Sequence, residues 1–212
     1  MTNPLDGGPA PAAAAVVFSD ALEQAEQYAS ILASRGIEWG LIGPREGDKL
    51  WERHLLNSVA VSPSIHDDAL VVDVGSGAGL PGIPLALMRP DLRVTLLEPL
   101  ERRAHFLTLA VDELGIGDRV RVVRERAEEH RQLYDVATCR AVAPVTKLLA
   151  WTTHLFSPGG RLVALKGESV DGELIKAANE LKKRRLSARV HLARVHPDVE
   201  ATRVLVVEGP RG

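Results

Sequence analysis

Residues Val71 to Pro84 read VVDVGSGAGLPGIP, and their spacing decides the fold. An apolar run fit for a buried strand carries Asp73, Gly75, Gly77 and Gly79 in the pattern DxGxGxG, and an apolar helical stretch follows at once. Glycines in such a turn let the backbone bend tightly and approach a ligand with no side chain in the way. The stretch predicts a strand, a ligand-binding turn and a helix in succession, with a nucleoside-containing cofactor at the turn.

A dinucleotide fingerprint, GxGxxG, would place its third glycine at position 80, which holds Leu80. Asp73, read as part of the turn, suits a sulfonium and an amino group better than a pyrophosphate. S-adenosylmethionine is therefore the expected cofactor, and NAD fits poorly. A second apolar run, Val94 to Leu97, ends in Glu98, whose carboxylate is placed to accept both ribose hydroxyls. The competing reading of these signals is structural: a connecting turn and a solvated loop acid.

The chain has 212 residues, enough for one well-buried α/β domain with a small appendage. Apolar residues make up 45% and charged residues 25%, so global disorder is not expected. A net charge of -2 means that any RNA site must be a local cluster of arginine and lysine. The single cysteine, Cys139, excludes an intramolecular disulfide and a cysteine-rich zinc site, which points to a reducing compartment and no metal. The first residues lack the basic region of a signal peptide, and no apolar run approaches the roughly eighteen residues of a membrane span. A cytoplasmic monomer with no membrane partner is expected.

Residues 1–17 read as a flexible tail rich in alanine, proline and glycine. Residues 18–68 form a helical cap. Its first helix runs from Phe18 past Leu32, opened by Asp20 and Glu23 in a capping-box arrangement and closed by Gly36; its second runs from Asp48 to about Val61, with Pro63 beyond its end. Residues 69–212 alternate strands and helices, the pattern of a doubly wound, mostly parallel α/β sheet. Strands are expected at Ala69–Val74, Arg93–Leu97, Val120–Arg124, Tyr134–Cys139, Arg161–Lys166, Arg189–Ala193 and Arg203–Glu208. Helices are expected at Ile83–Met88, Arg102–Leu114, Val145–Phe156 and Asp171–Arg184. Seven strands with a consecutive final pair match the methyltransferase variant of the Rossmann-like fold.

Ligands of such sheets bind at the carboxyl ends of the strands, which supply Gly75, Glu98, the segment Arg126, Ala127, Glu128, and Arg140. Glu128 or Glu129 would accept from an adenine amino group, or simply favour a helix dipole. The fourth strand ends in ATCRAVAP, without the NPPY-like turn expected for adenine amino methylation. Cys139 has no neighbouring histidine or lysine in sequence to lower its pKa and reads as a small strand-end filler, not a nucleophile. A ring nitrogen such as N7 of guanine needs neither nucleophile nor base, only alignment. Arg140 and Lys166, at the ends of adjacent strands, would then hold phosphates or the guanine oxygen. Two further basic groups, Arg119 to Arg131 and Lys182 to Arg185, are candidate RNA contacts or solvated faces.

With these residues in place, the chain resembles the RsmG (GidB) family of bacterial 16S rRNA guanine-N7 methyltransferases. The likeness is carried by RHLLNS at Arg53–Ser58, DVGSGAGLPGIPLA at Asp73–Ala86, RAEE at Arg126–Glu129, CRA at 139–141 and LKG at Leu165–Gly167. It implies S-adenosylmethionine as donor and, as acceptor, N7 of nucleotide 527 in the decoding-region loop of 16S rRNA, free or in the 30S subunit, with low-level streptomycin resistance on loss. It also implies cofactor contacts at Gly75, Leu80, Ala127, Glu128 and Arg140, and substrate handling by His54, Arg126 and Lys166; Arg53, beside His54, is a further candidate for RNA binding. Two positions depart from the family pattern: the loop before RHLLNS reads GLIG at Gly40–Gly43, and Cys139 stands where serine is common. A methyltransferase acting on a metabolite or protein, and a non-catalytic cofactor-binding module, are the competing readings.

Overall fold

Seven strands form one sheet in the order β3-β2-β1-β4-β5-β7-β6. The computed structural model describes residues 8–140 and 143–209. The first seven residues of the expected tail, Ala141 of the CRA motif and residues 210–212 lie outside the described residues. The strands are β1 Leu70–Val74, β2 Arg93–Leu97, β3 Val120–Val123, β4 Tyr134–Arg140, β5 Phe156–Lys166, β6 Ser187–Ala193 and β7 Thr202–Glu208. The first five pair in parallel, and β7 joins antiparallel to both β5 and β6. This is the expected doubly wound α/β sheet.

Strand residues alternate between two helical layers, as a two-residue period demands. Val71, Val94, Val136, Val163 and Val204 face one layer; Val72, Leu97, Ala137, Leu162 and Leu205 face the other. The first layer comprises α1 Ala12–Phe18, α2 Leu22–Ile31, the helical segment 47–64, α3 Gly82–Met88 and α4 Glu101–Glu113. The second comprises α5 Val145–Thr152 and α6 Val170–Arg184. Among the described residues, no helix is long and apolar enough to cross a membrane.

The N-terminal region corrects several expectations. Residues 12–17 are helical, not a flexible tail: α1 buries Ala13, Ala14 and Phe18, and Phe18 meets Trp51 edge-on at 6.5 Å. An alanine run has high helix propensity but no apolar stripe to reveal it. Asp20 and Glu23 make no capping box, since no side chain caps the start of α2. Gly36 does not end this helix, which continues through a wide π-helical stretch at Leu32–Gly36 and turns away at Gly40, φ +66°. The second helix is wide at Leu50–Leu56 and tightens to 3-10 geometry at Val59–Ser64, which contains Pro63. Finally, α5 stops at Thr152 and β5 begins at Phe156, opposite Tyr134. Gly160 there lies so close to Tyr134 that an added Cβ would come within 2.9 Å of its carbonyl oxygen, so this glycine serves strand pairing.

Candidate active site

The glycine loop, residues 75–80, leaves β1 where the sheet order reverses, with β2 on one side and β4 on the other. Its two later glycines serve different ends. At Gly79, φ +95°, an added Cβ would lie 2.5 Å from Ile83 Cδ1 and 3.0 Å from the Tyr28 hydroxyl, so the position demands close packing. At Gly77, φ +58°, the nearest neighbour of an added Cβ is the Gly75 carbonyl oxygen at 3.8 Å, so the backbone there faces open space.

Side chains from three elements hold this loop. From α2, the buried Tyr28 hydroxyl donates to the Ala78 carbonyl at 2.6 Å. From the end of β2, Glu98 accepts from Gly77 N at 2.9 Å through Oε2 and from Leu100 N at 3.0 Å through Oε1. From β1, Asp73 Oδ2 accepts from Gly82 N at 3.0 Å. Tyr28 escaped the sequence reading, although it shares a helical face with Ala25 and Leu32.

Asp73 does not stand in the turn. It is a β1 residue buried beneath the loop, and burial pushes its carboxyl up to about 7 against the Gly82 hydrogen bond that favours ionisation. Its Oδ1 is buried without a partner, and Glu98 is 2% exposed. Glu98, bonded to the open Gly77 backbone, fits a ligand that brings hydroxyl donors, as S-adenosylmethionine would, while Asp73 supports the loop from beneath.

Arg140 joins two clefts. It lines the loop cleft of about 170 Å³ with Gly75, Gly77, Leu80, Arg103 and, from the divergent GLIG loop, Leu41 and Ile42. It also lines a second cleft of about 300 Å³ with Glu46, Arg53, His54, Asn57 and Lys166. Its guanidinium donates to the Arg53 carbonyl at 2.9 Å and to His54 Nδ1 at 2.6 Å. His54 is thus a buried partner of Arg140, whereas the Arg53 side chain is 60% exposed.

Lys166, also in the wall of the second cleft, is held by an acid. Its ammonium meets Glu173 Oε2 at 2.7 Å and the Ala143 carbonyl at 3.0 Å, and only 6% of its side chain is exposed. Glu173 also accepts from Val145 N and Ser169, so this cation ties β5 to the starts of α5 and α6. Cys139 faces the α5 and α6 layer, fully buried, and burial pushes its thiol up to about 12, a value with no thiolate at neutral pH.

Ala127 and Glu128 lie beyond β3 on the cofactor edge but do not line the loop cleft. Ala127 is buried with its carbonyl accepting from His154, while Arg126 and Glu128 are exposed. The first basic group is largely engaged within the protein, whereas in the second Lys182, Lys183 and Arg185 are exposed and only Arg184 is tied down by bonds among the described residues. Arg119 pairs with Asp118, Arg121 bonds to Thr95 and Gln132, Arg124 pairs with Glu101, and Arg184 bonds to Glu180 and Thr153.

Residues 21–198 match the family model described as rRNA small subunit methyltransferase G. The chain belongs to that family. It is 48% identical to ribosomal RNA small subunit methyltransferase G of Kineococcus radiotolerans over 94% of this chain and 79% of the relative. It is 53% identical to the protein of the same name from Mycolicibacterium smegmatis over 77% and 71% of the two chains. The fold is similar to that of precorrin-6y C5,15-methyltransferase from Geobacter metallireducens, with a TM-score of 0.55 and 16% identity over 81% of this chain and 91% of the other.

Proposed function

We propose that this chain transfers a methyl group from S-adenosylmethionine to N7 of a guanosine in 16S rRNA, at nucleotide 527 of the decoding-region loop, in free rRNA or the 30S subunit. The observation that carries the reading is the position of Arg140 in the walls of both clefts. Methyl transfer requires donor and acceptor in line and in contact, and alignment alone supplies several powers of ten in rate. When bound, the cofactor supplies an electrophilic methyl group on a sulfonium.

In this reading Gly75, Gly77 and Leu80 face the cofactor, Glu98 takes the ribose hydroxyls, and Ala127 with Glu128 takes the adenine edge. Gly79 and Asp73 act through the loop. Arg140 donates to the guanine oxygen or a phosphate, and the exposed Arg53 and Arg126 meet the RNA backbone. His54 and Lys166 act from behind, on Arg140 and on the cleft wall. N7 carries a lone pair and no proton, so its methylation asks for no deprotonated side chain. Residues 18–68 serve as a helical cap, and the protein works as a cytoplasmic monomer, where ribosomal subunits are found.

Mass mapping of 16S rRNA from cells with and without the gene tests this assignment. The expected result is loss of one methyl group at N7 of nucleotide 527 and growth at low streptomycin concentration. Methyl retained in the deleted strain, or labelled donor appearing only in a metabolite pool, would overturn it.

A further inference from the structure

We propose that Glu46 and His54 form a protonation-sensitive latch on Arg140, holding its guanidinium at the junction of the two clefts only while the imidazole is neutral. The proposal rests on the reading that Arg140 stands between methyl donor and acceptor base.

The geometry leaves one tautomer. A guanidinium only donates hydrogen bonds, so the 2.6 Å contact from Arg140 to His54 Nδ1 requires a lone pair on Nδ1. The ring hydrogen then resides on Nε2, which donates to Glu46 Oε2 at 3.1 Å. Glu46 thereby fixes which nitrogen is bare, and the bare nitrogen fixes Arg140. The second Arg140 bond goes to the Arg53 carbonyl at 2.9 Å, so both anchors come from the RHLLNS segment, 86 and 87 residues away in sequence. Within that segment the Ser58 hydroxyl donates to the His54 carbonyl.

The charges around the imidazole set when the latch opens. Burial and the Arg140 charge, with a smaller contribution from Arg53, hold His54 below its ordinary value, while the Glu46 carboxylate pulls it up. Lys49 also faces Glu46, and Asp73 and Tyr28 face Arg140 from β1 and α2. At neutral pH the imidazole is therefore uncharged and the latch is closed. As pH falls through the folded value, a proton on Nδ1 puts N–H against N–H, and Arg140 loses its acceptor. Glu46 and His54 are positioning residues, acting through Arg140.

Two measurements test the latch on the full chain. In ¹⁵N imidazole NMR, His54, identified by its absence in His54→Asn, is expected as the Nε2–H tautomer at neutral pH. Its midpoint should rise in Arg140→Ala, which removes a cation, and fall in Glu46→Gln, which removes an anion. In methyl transfer to 16S rRNA or 30S subunits, the wild type should lose kcat at acidic pH through one ionisation. Glu46→Gln should shift that limb to lower pH, and His54→Asn, which keeps an acceptor near Nδ1 but does not titrate, should abolish it with circular dichroism unchanged. A mispositioned Arg140 in His54→Phe should lower kcat by about tenfold to a hundredfold.

An Nδ1–H tautomer, a midpoint indifferent to Arg140→Ala, or an acidic limb that persists in His54→Asn would overturn the latch. A wild-type chain that transfers no methyl group to rRNA while the imidazole shifts appear as stated would leave the latch standing and remove the rRNA reading.

Discussion

Arg140 and Lys166 are cations at the carboxyl ends of neighbouring strands, yet they belong to different layers of the molecule. The register pairs Arg140 with Leu165, so Lys166 is one residue further on and faces the opposite side of the sheet. Arg140 points with Val136 toward the N-terminal helices and bonds to a neutral imidazole and a carbonyl. Lys166 points with Leu162 and Ala164 toward α6 and meets the Glu173 carboxylate. A cation held by neutral acceptors keeps its charge for an electron-rich ligand; one matched by a carboxylate mainly holds structure. The same alternation separates Cys139 from the cleft to which Arg140 belongs.

The most severe test of this contrast is Arg140→Ala, expected to lower kcat/KM on 16S rRNA by about a hundredfold, the scale of lost alignment, with little change in thermal midpoint. Lys166→Met should reverse the balance. Leaving Glu173 unpaired in a largely buried position should cost about 2–3 kcal/mol in urea unfolding, below the full cost of breaking a deeply buried pair because Glu173 keeps some solvent. Equal losses of activity in the two variants, with both fully folded, would erase the distinction.

Asp73 sharpens the picture of the layer beneath the loop. Its folded value, about 7, lies above the ordinary 3.8, so the folded state binds the extra proton between those values and stability declines as pH rises from about 4 to about 7. Asp73→Asn keeps an acceptor for Gly82 N but does not titrate. Its stability relative to wild type should therefore grow across that range and level off above it; parallel urea midpoints at pH 5 and pH 8 would refute the assignment. Tyr28→Phe removes the bond to Ala78 and should cost about 1 kcal/mol, with weaker cofactor binding by calorimetry. Cys139→Ser should have the smallest effect, leaving methyl transfer intact; an inactive but folded variant would bring the thiol back into the chemistry.

Strand positions were legible where both faces are buried. β2 at Arg93–Leu97 matches its expected bounds, and β1 differs by one residue, because a parallel strand between two layers must be a short apolar run ended by turn residues. The cap was less legible. Its wide and tight turns at Leu32–Gly36, Leu50–Leu56 and Val59–Ser64 do not keep the 3.6-residue period on which helix reading depends. Of the candidate site, the loop glycines, Glu98 and Arg140 could be proposed from their places at strand ends. Tyr28 and Glu46 could not, because their roles arise from contacts 50 and 8 residues away that no local pattern announces.

By itself, the order of residues determined the doubly wound sheet, the glycine turn at its reversal point and the family, since each depends on local conformational limits and short-range spacing. The tertiary structure alone decided which face each strand end presents. Register is a property of two strands together, and one residue of offset places Arg140 in the walls of both clefts and turns the Lys166 ammonium, at the edge of one of them, to the Glu173 carboxylate.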